Sequence, residues 1–258
     1  MRTLFIKKKT AVWCLFFILL IALISPAYLA KGKKINYLAL GDSLAAGQTP
    51  YRQWDKGYAD YIAADLQKAG LLGSFNKKYA VSGYTTSDVL NDLLSNKNGI
   101  KAAVAQSQVI TLDVGANDIL RNINFSIQEQ KAVPDLFKVL AALQTIQVNT
   151  GKILDTLHTL NPQAKVYLIG YYQPFPHIVK EAQAQIEPLI GTLNGILQKT
   201  AQDKKITFVP TAASIRRHAD VYIPNPEDIH PGPEGYKVMA GEAWKAMQQE
   251  IFHKQRNG

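Results

Sequence analysis

Short, nearly continuous apolar runs alternate with longer amphipathic ones along most of this chain. INYLAL (residues 35–40), QVITLDV (108–114), KVYLIG (165–170) and ITFVP (206–210) each have the pattern of a strand buried on both faces. A weaker strand is predicted at KKYAV (77–81). Between them, Tyr58, Ile62, Leu66 and Ala69 mark one face of a helix that Gly70 ends. A second helix is predicted to start near TTSDVLNDLL, with Thr86 or Ser87 as its N-cap. Long helical stretches occupy about 134–160 and 178–200, and Tyr236, Ala240, Ala243, Met247 and Ile251 repeat at helical spacing near the end. Strands alternating with helices predict an α/β domain whose parallel sheet is covered on both faces.

That architecture makes three loops informative, because ligands of such sheets bind beyond the carboxyl ends of the strands, where strand order reverses. The first strand runs into GDS, the second into SGYTTS and the third into GAND. In a flavodoxin-like order, 2-1-3-4-5, these three strands are immediate neighbours.

Composition changes the picture mainly at the amino end. The first thirty residues place Arg2 and Lys7 to Lys9 before an apolar run at 11–24 and then small residues, the layout of a secretory signal peptide or, uncleaved, an N-terminal membrane anchor. A cleavage point after Ala27 fits the small residues of SPA. The single cysteine, Cys14, lies within this leader, so the expected domain, 31–258, has neither disulfide nor thiol nucleophile. The formal charge of +9 also needs correction. Four of the 29 cations sit in the leader, which leaves 25 against 20 acids, a net +5. A modestly basic exported domain is suited to an anionic envelope polymer or membrane surface, although a plain solvated surface has the same charge. No basic run with interleaved aromatics suggests nucleic acid.

Several chemistries are excluded by spacing. Gly41 and Gly47 stand one residue too far apart for a P-loop, and Gln48 occupies the place of its lysine. No GxGxxG follows a strand, and Ser43 is not in a GxSxG elbow. Asp42 and Ser43 are also ordinary helix-capping residue types. A nucleophilic serine needs a base. Of the five histidines, His230 alone sits in a loop with carboxylates close by, Glu227 and Asp228, just before the final helix. His158 and His253 read as surface or packing residues, His218 as solvated and His177 as a residue of a cleft. A carboxylate beside His230 can orient its imidazole toward a hydroxyl, whereas a metal site would need a further clustered ligand. In GAND, Asn117 offers side-chain N–H groups, and Gly83 offers a backbone N–H that a ligand can approach closely. With the Ser43 amide they form a candidate oxyanion hole. Tyr51, Trp54, Tyr171, Tyr172 and Phe175 are candidates for the lining of an acyl or sugar site.

GDSL, SGYTTS, GAND and DIHPGPEGY, in this order and at these separations, together resemble the SGNH/GDSL hydrolase family, in its bacterial extracytoplasmic lipase/esterase-like branch. The resemblance implies a three-layer α/β/α, flavodoxin-like fold with a five-stranded parallel sheet, and a serine esterase that needs neither metal nor cofactor. Block by block it implies Ser43 as nucleophile and first oxyanion donor, Gly83 and Asn117 as further donors, and His230 as base. The family's acid usually stands three residues before the histidine, a position held here by Glu227. Asp228 is one residue closer, and its shorter side chain makes it the preferred acid. The expected substrate is a lipid or small acyl ester. The alternatives are a carbohydrate or cell-wall O-deacetylase of the same chemistry, and a noncatalytic envelope-binding protein on the same scaffold.

Overall fold

In the computed structural model, residues 34–253 are described apart from 127 and 130. The leader, Cys14 and the cleavage point at Ala27 lie outside the described residues, as do the side chains of Ile251 and His253. Residues Ile35–Gly258 form one contact unit. Its centre is a five-stranded parallel sheet of β1 (Ile35–Gly41), β2 (Leu72–Ala80), β3 (Val109–Asp113), β6 (Lys165–Ile169) and β7 (Thr207–Val209), ordered β2-β1-β3-β6-β7. This is the expected 2-1-3-4-5 order, with the reversal between β1 and β3.

The strands differ in legibility because they differ in burial. All five residues of β3 are buried, as helices on both faces require. The edge strand β2 buries only Tyr79 and Ala80, so its first half reads as polar. It therefore runs from Leu72, not from Lys77 as the apolar pattern suggests.

The sheet is flanked by α2 (Tyr58–Lys68), α3 (Thr86–Ser95), α4 (Ile100–Gln106), α6 (Leu136–Leu160), α7 (Lys180–Asp203) and α10 (Pro233–His253). Tyr58, Ile62 and Leu66 of α2 and Tyr236, Ala240, Ala243 and Met247 of α10 are buried, the faces predicted from spacing. The N-cap of α3 is Thr85 rather than Thr86 or Ser87. Thr85 Oγ1 accepts from the Asp88 N–H at 3.3 Å while Asp88 Oδ2 accepts from the Thr85 N–H at 2.9 Å, a reciprocal pair that needs an acid three residues on. Thr86 is instead buried, bonded through N–H and hydroxyl to Asp118 at 2.9 and 2.6 Å.

A small antiparallel hairpin, β4 (Ile123–Ser126) with β5 (Lys131–Pro134), precedes α6 and packs on α7. Such four-residue strands carry too little alternation to register in sequence. Phe125 of the hairpin stacks against Phe175, with ring centroids 3.8 Å apart.

Candidate active site

At the end of β1 the backbone turns sharply, and β3 provides the support. Gly41 adopts φ +140°, and a Cβ there would fall 2.3 Å from the Asp113 carbonyl oxygen, so only glycine fits between these strand ends. The next residues enter α1 (Ser43–Ala46), a single turn whose first N–H groups lack helical partners. Asp42 Oδ1 accepts from the Leu44 N–H at 3.0 Å, while Asp113 Oδ2 accepts from the N–H groups of Asp42 at 3.0 Å and Ala45 at 3.4 Å. Asp42 is thus the N-cap and Ser43 the first helical residue, 7% exposed. Gly47, at φ +86°, ends the turn with its Cα-hydrogen side against the Asp55 carbonyl.

Asp42 and Asp113 form a buried acid pair, 2% and 0% exposed. Tyr171 donates to Asp42 Oδ2 at 2.7 Å and Tyr58 donates to Asp113 Oδ1. Burial, reinforced by the charge of Asp113, pushes the Asp42 carboxyl well above the usual carboxylate range. Burial also raises Asp113, against the opposing effect of hydrogen bonds from Asp42 and Tyr58. Asp113 faces three donors, the N–H groups of Asp42 and Ala45 and the Tyr58 hydroxyl. An asparagine at 113 would turn an amide N–H toward those donors. Asp113→Asn is therefore expected to cost about 1–3 kcal/mol of stability, seen as a lower Tm at neutral pH.

The linkage has a definite sign. A carboxyl raised in the folded state stabilises fully below its unfolded pKa of about 4, and this contribution is lost as pH rises through the folded value. Thermal melts from pH 4 to pH 8 should show that loss in the wild type and a shallower one in Asp42→Asn, which removes the ionisation.

His230 arrives from the opposite side, on the loop between α9 (Ala219–Tyr222) and α10. The loop is fastened at several points. Asn225 Nδ2 donates to the Pro50 carbonyl at 2.6 Å, Tyr172 donates to the Ile229 carbonyl at 3.0 Å, and the Gly232 N–H donates to the Tyr222 carbonyl at 2.9 Å. These bonds leave His230 7% exposed, with Nε2 2.7 Å from Ser43 Oγ and Nδ1 2.5 Å from Asp228 Oδ1. The same carboxylate oxygen accepts from the His230 backbone N–H at 2.8 Å. Asp228 thus holds both the ring and the main chain of His230, a grip that its short side chain and two-residue spacing allow. Glu227 is exposed and makes no such contact. Burial alone would raise the Asp228 carboxyl, but the hydrogen bonds it accepts from the ring and the main chain of His230, helped by Arg52, hold it below the usual range. It remains an anion that fixes a proton on Nδ1 and turns the lone pair of Nε2 toward Ser43.

Ser43, Asn117 and His230 line one cavity together with Asp42, Leu44, Ala116, Leu120, Tyr171, Tyr172, Pro174, Ile190 and Ile229. Asn117 belongs to α5 (Ala116–Leu120), which is tied to α3 by the Asp118–Thr86 bonds. One N–H of its amide donates to the Tyr84 carbonyl at 2.9 Å, which orients the side chain and leaves the second N–H for a ligand. Gly83 stands outside the cavity lining. It lies between Tyr84 and Ser82, whose hydroxyl donates to Gln48 at 2.5 Å, and its carbonyl accepts from Arg121 at 2.6 Å. Its φ of +80° suits glycine, and a Cβ there would meet open space. Removing the Asn117 amide, in Asn117→Ala, is expected to lower kcat by about 10²- to 10³-fold with little change in KM. Steady-state kinetics on a soluble ester checks this, and a fall confined to KM would assign Asn117 to ground-state binding.

The other sequence candidates fall elsewhere. His158, His177 and His218 are exposed, and His177 Nε2 bonds to the Ile223 carbonyl at 2.6 Å. Tyr51 and Trp54 are 65% and 62% exposed and do not line the cavity, whereas Tyr171 and Tyr172 do. Among the described residues no three His, Cys, Asp or Glu side chains are grouped to hold a metal ion. Gln48, whose carbonyl accepts from Tyr236 at 2.6 Å and whose amide sits 3.4 Å from His230 Nδ1, carries no sequence signal of its own. Asp113 does carry one: it is the one acid of β3, at the end of a fully buried strand.

Comparison with known proteins gives the family and the related folds. Residues 39–238 match the model of the GDSL-like lipase/acylhydrolase family. An uncharacterized protein of Bacillus subtilis strain 168, YpmR, is 23% identical over 220 residues, covering 84% of this chain and 83% of YpmR. The lipase Lip_vut3 from a goat rumen metagenome superposes with a TM-score of 0.67 at 25% identity, over 83% of this chain and 97% of its own. Phospholipase A1 of Streptomyces albidoflavus gives 0.60 at 20% identity, over 81% and 98%. A variant of Axe2, an acetyl xylan esterase from Geobacillus stearothermophilus, gives 0.57 at 17% identity, over 85% and 95%. With a family match that runs from the end of β1 to the start of α10 and a sheet shared with lipases and esterases, the chain belongs to the GDSL-like lipase/acylhydrolase family.

Proposed function

We propose that this chain is an exported serine ester hydrolase that cleaves acyl esters through Ser43, His230 and Asp228. The observation that carries this reading is the continuous hydrogen-bonded chain from Ser43 Oγ through His230 to Asp228, opening on a largely apolar cavity. In this mechanism Ser43 Oγ attacks the ester carbonyl carbon while its proton passes to His230 Nε2. The oxyanion is met by the N–H groups of Ser43 and Gly83 and by Asn117 Nδ2. Among the described residues the first two backbone N–H groups have no other acceptor, which suits them to this task. Collapse breaks the bond to the alcohol oxygen, which leaves with the proton from Nε2. A water then gives a proton to Nε2 as its oxygen attacks the acyl carbon, and collapse of this second intermediate frees the acid while Ser43 Oγ takes the proton back from Nε2.

The noncatalytic reading is disfavoured by the cost of burying an imidazole, a carboxylate and a hydroxyl in register for no chemistry. Deacetylation of a carbohydrate uses the same steps on a different alcohol. Export rests on the leader at residues 1–30, and the net +5 of the remainder suits an anionic envelope polymer or membrane surface. The decisive experiment measures hydrolysis of esters of graded acyl length and of acetylated sugars by the wild type and by Ser43→Ala. Turnover that disappears with the serine supports the proposal. Turnover unchanged by Ser43→Ala, or none on any ester, overturns it.

A further inference from the structure

The cavity beside Ser43 has a volume of only about 30 Å³ for water-sized occupants. One water needs roughly 10–15 Å³ on that measure, so the space admits two or three heavy atoms. Its walls are largely apolar away from Asp42, Ser43, Asn117 and His230. From this size and polarity we infer that the pocket selects acetyl esters, whose acyl group has three heavy atoms, with Leu120 and Ile190 as the residues that close it to longer chains. The inference rests on the ester-hydrolase reading and sharpens it to a substrate class.

The reason for choosing those two residues is how the other walls are held. Tyr171 is fixed at three atoms: its hydroxyl on Asp42 at 2.7 Å, its N–H on Asn194 Oδ1 at 2.8 Å and its carbonyl under Asn194 Nδ2 at 2.7 Å. Tyr172 is fixed through its hydroxyl to the Ile229 carbonyl at 3.0 Å. Leu44 and Ala116 belong to the turns that carry Ser43 and Asn117, so neither can withdraw without moving the site. Leu120 and Ile190 are held by packing alone, Ile190 4% exposed on α7 and Leu120 partly exposed at the end of α5. A growing acyl chain that keeps its carbonyl between Ser43 and Asn117 meets these two side chains. Each methylene that a hydrophobic pocket fails to accommodate changes kcat/KM by about 10- to 200-fold.

The test compares p-nitrophenyl acetate, butyrate and octanoate with the full chain. The wild type is expected to favour acetate over butyrate by at least about 10-fold in kcat/KM, and octanoate to be the poorest of the three. Ile190→Ala should raise butyrate relative to acetate by about 10-fold or more, and Leu120→Ala should do the same for the longer ester. Leu120 is partly exposed, so Leu120→Ala provides a second folded variant where a melt shows that Ile190→Ala has lost structure. A wild type that prefers octanoate, with hydrolysis abolished by Ser43→Ala, overturns the short-acyl pocket and leaves the hydrolase intact. Acetate preference unmoved by either variant, both folded, overturns the assignment of Leu120 and Ile190. Absence of any ester hydrolysis would instead count against the enzyme reading itself.

Discussion

Ser43→Ala is expected to lower kcat on a short acyl ester by about 10⁶-fold, while the protein remains folded. The hydroxyl is small, and the bonds that shape its turn come from Asp42 and Asp113, not from Ser43 Oγ. Removing it therefore deletes the atom proposed to attack and leaves the turn. His230→Ala should cost about as much, because an unassisted serine hydroxyl is a poor nucleophile near neutral pH. The double variant should be no worse than either single one, since the two side chains act as one unit. Steady-state rates, with circular dichroism as a check on folding, decide the matter. Losses that multiplied in the double variant would mean that Ser43 and His230 act separately.

The second large effect separates two neighbouring acids. Asp228→Asn is expected to lower kcat by about 10⁴-fold, whereas Glu227→Gln should leave it within about twofold. The amide would present an N–H to His230 Nδ1, force the ring's proton to Nε2 and point a donor at a hydroxyl that needs an acceptor. Glu227, exposed and outside the bonded chain, has no comparable hold on the ring. A Glu227→Gln enzyme crippled beside an active Asp228→Asn would reverse the assignment.

How much of this was legible in the sequence depends on where burial makes a pattern. Central strands such as β3 stand out because both faces are covered, and the regular stripes of α2 and α10 follow from one-sided packing. The edge strand β2 and the hairpin β4–β5 do not stand out, since neither buries enough residues to set a period. At the site, Ser43 and Asn117 are legible because each follows the end of an apolar strand with a residue type suited to chemistry, and His230 because two carboxylates stand within three residues of it. The supporting contacts are not. Asn225 reaches the Pro50 carbonyl and Tyr236 reaches Gln48 across more than 170 residues of chain, and no local pattern records a bond made at that separation. Side-chain length favours Asp228 over Glu227 in the sequence, and the structure adds the contact itself, Asp228 on His230 Nδ1 with Glu227 turned outward.

The register of β1 against β3 sets Gly41 beside Asp113, so the turn that carries Ser43 is clamped by the last residue of the most deeply buried strand. The proposed nucleophile therefore has no flexible loop of its own. It is carried by the part of the molecule that opens only when the whole domain unfolds, and a substitution that slackens this seam loosens the fold and the reaction geometry together. Adaptation to new substrates must then proceed through the cavity walls and outer loops, with the strand junction held constant.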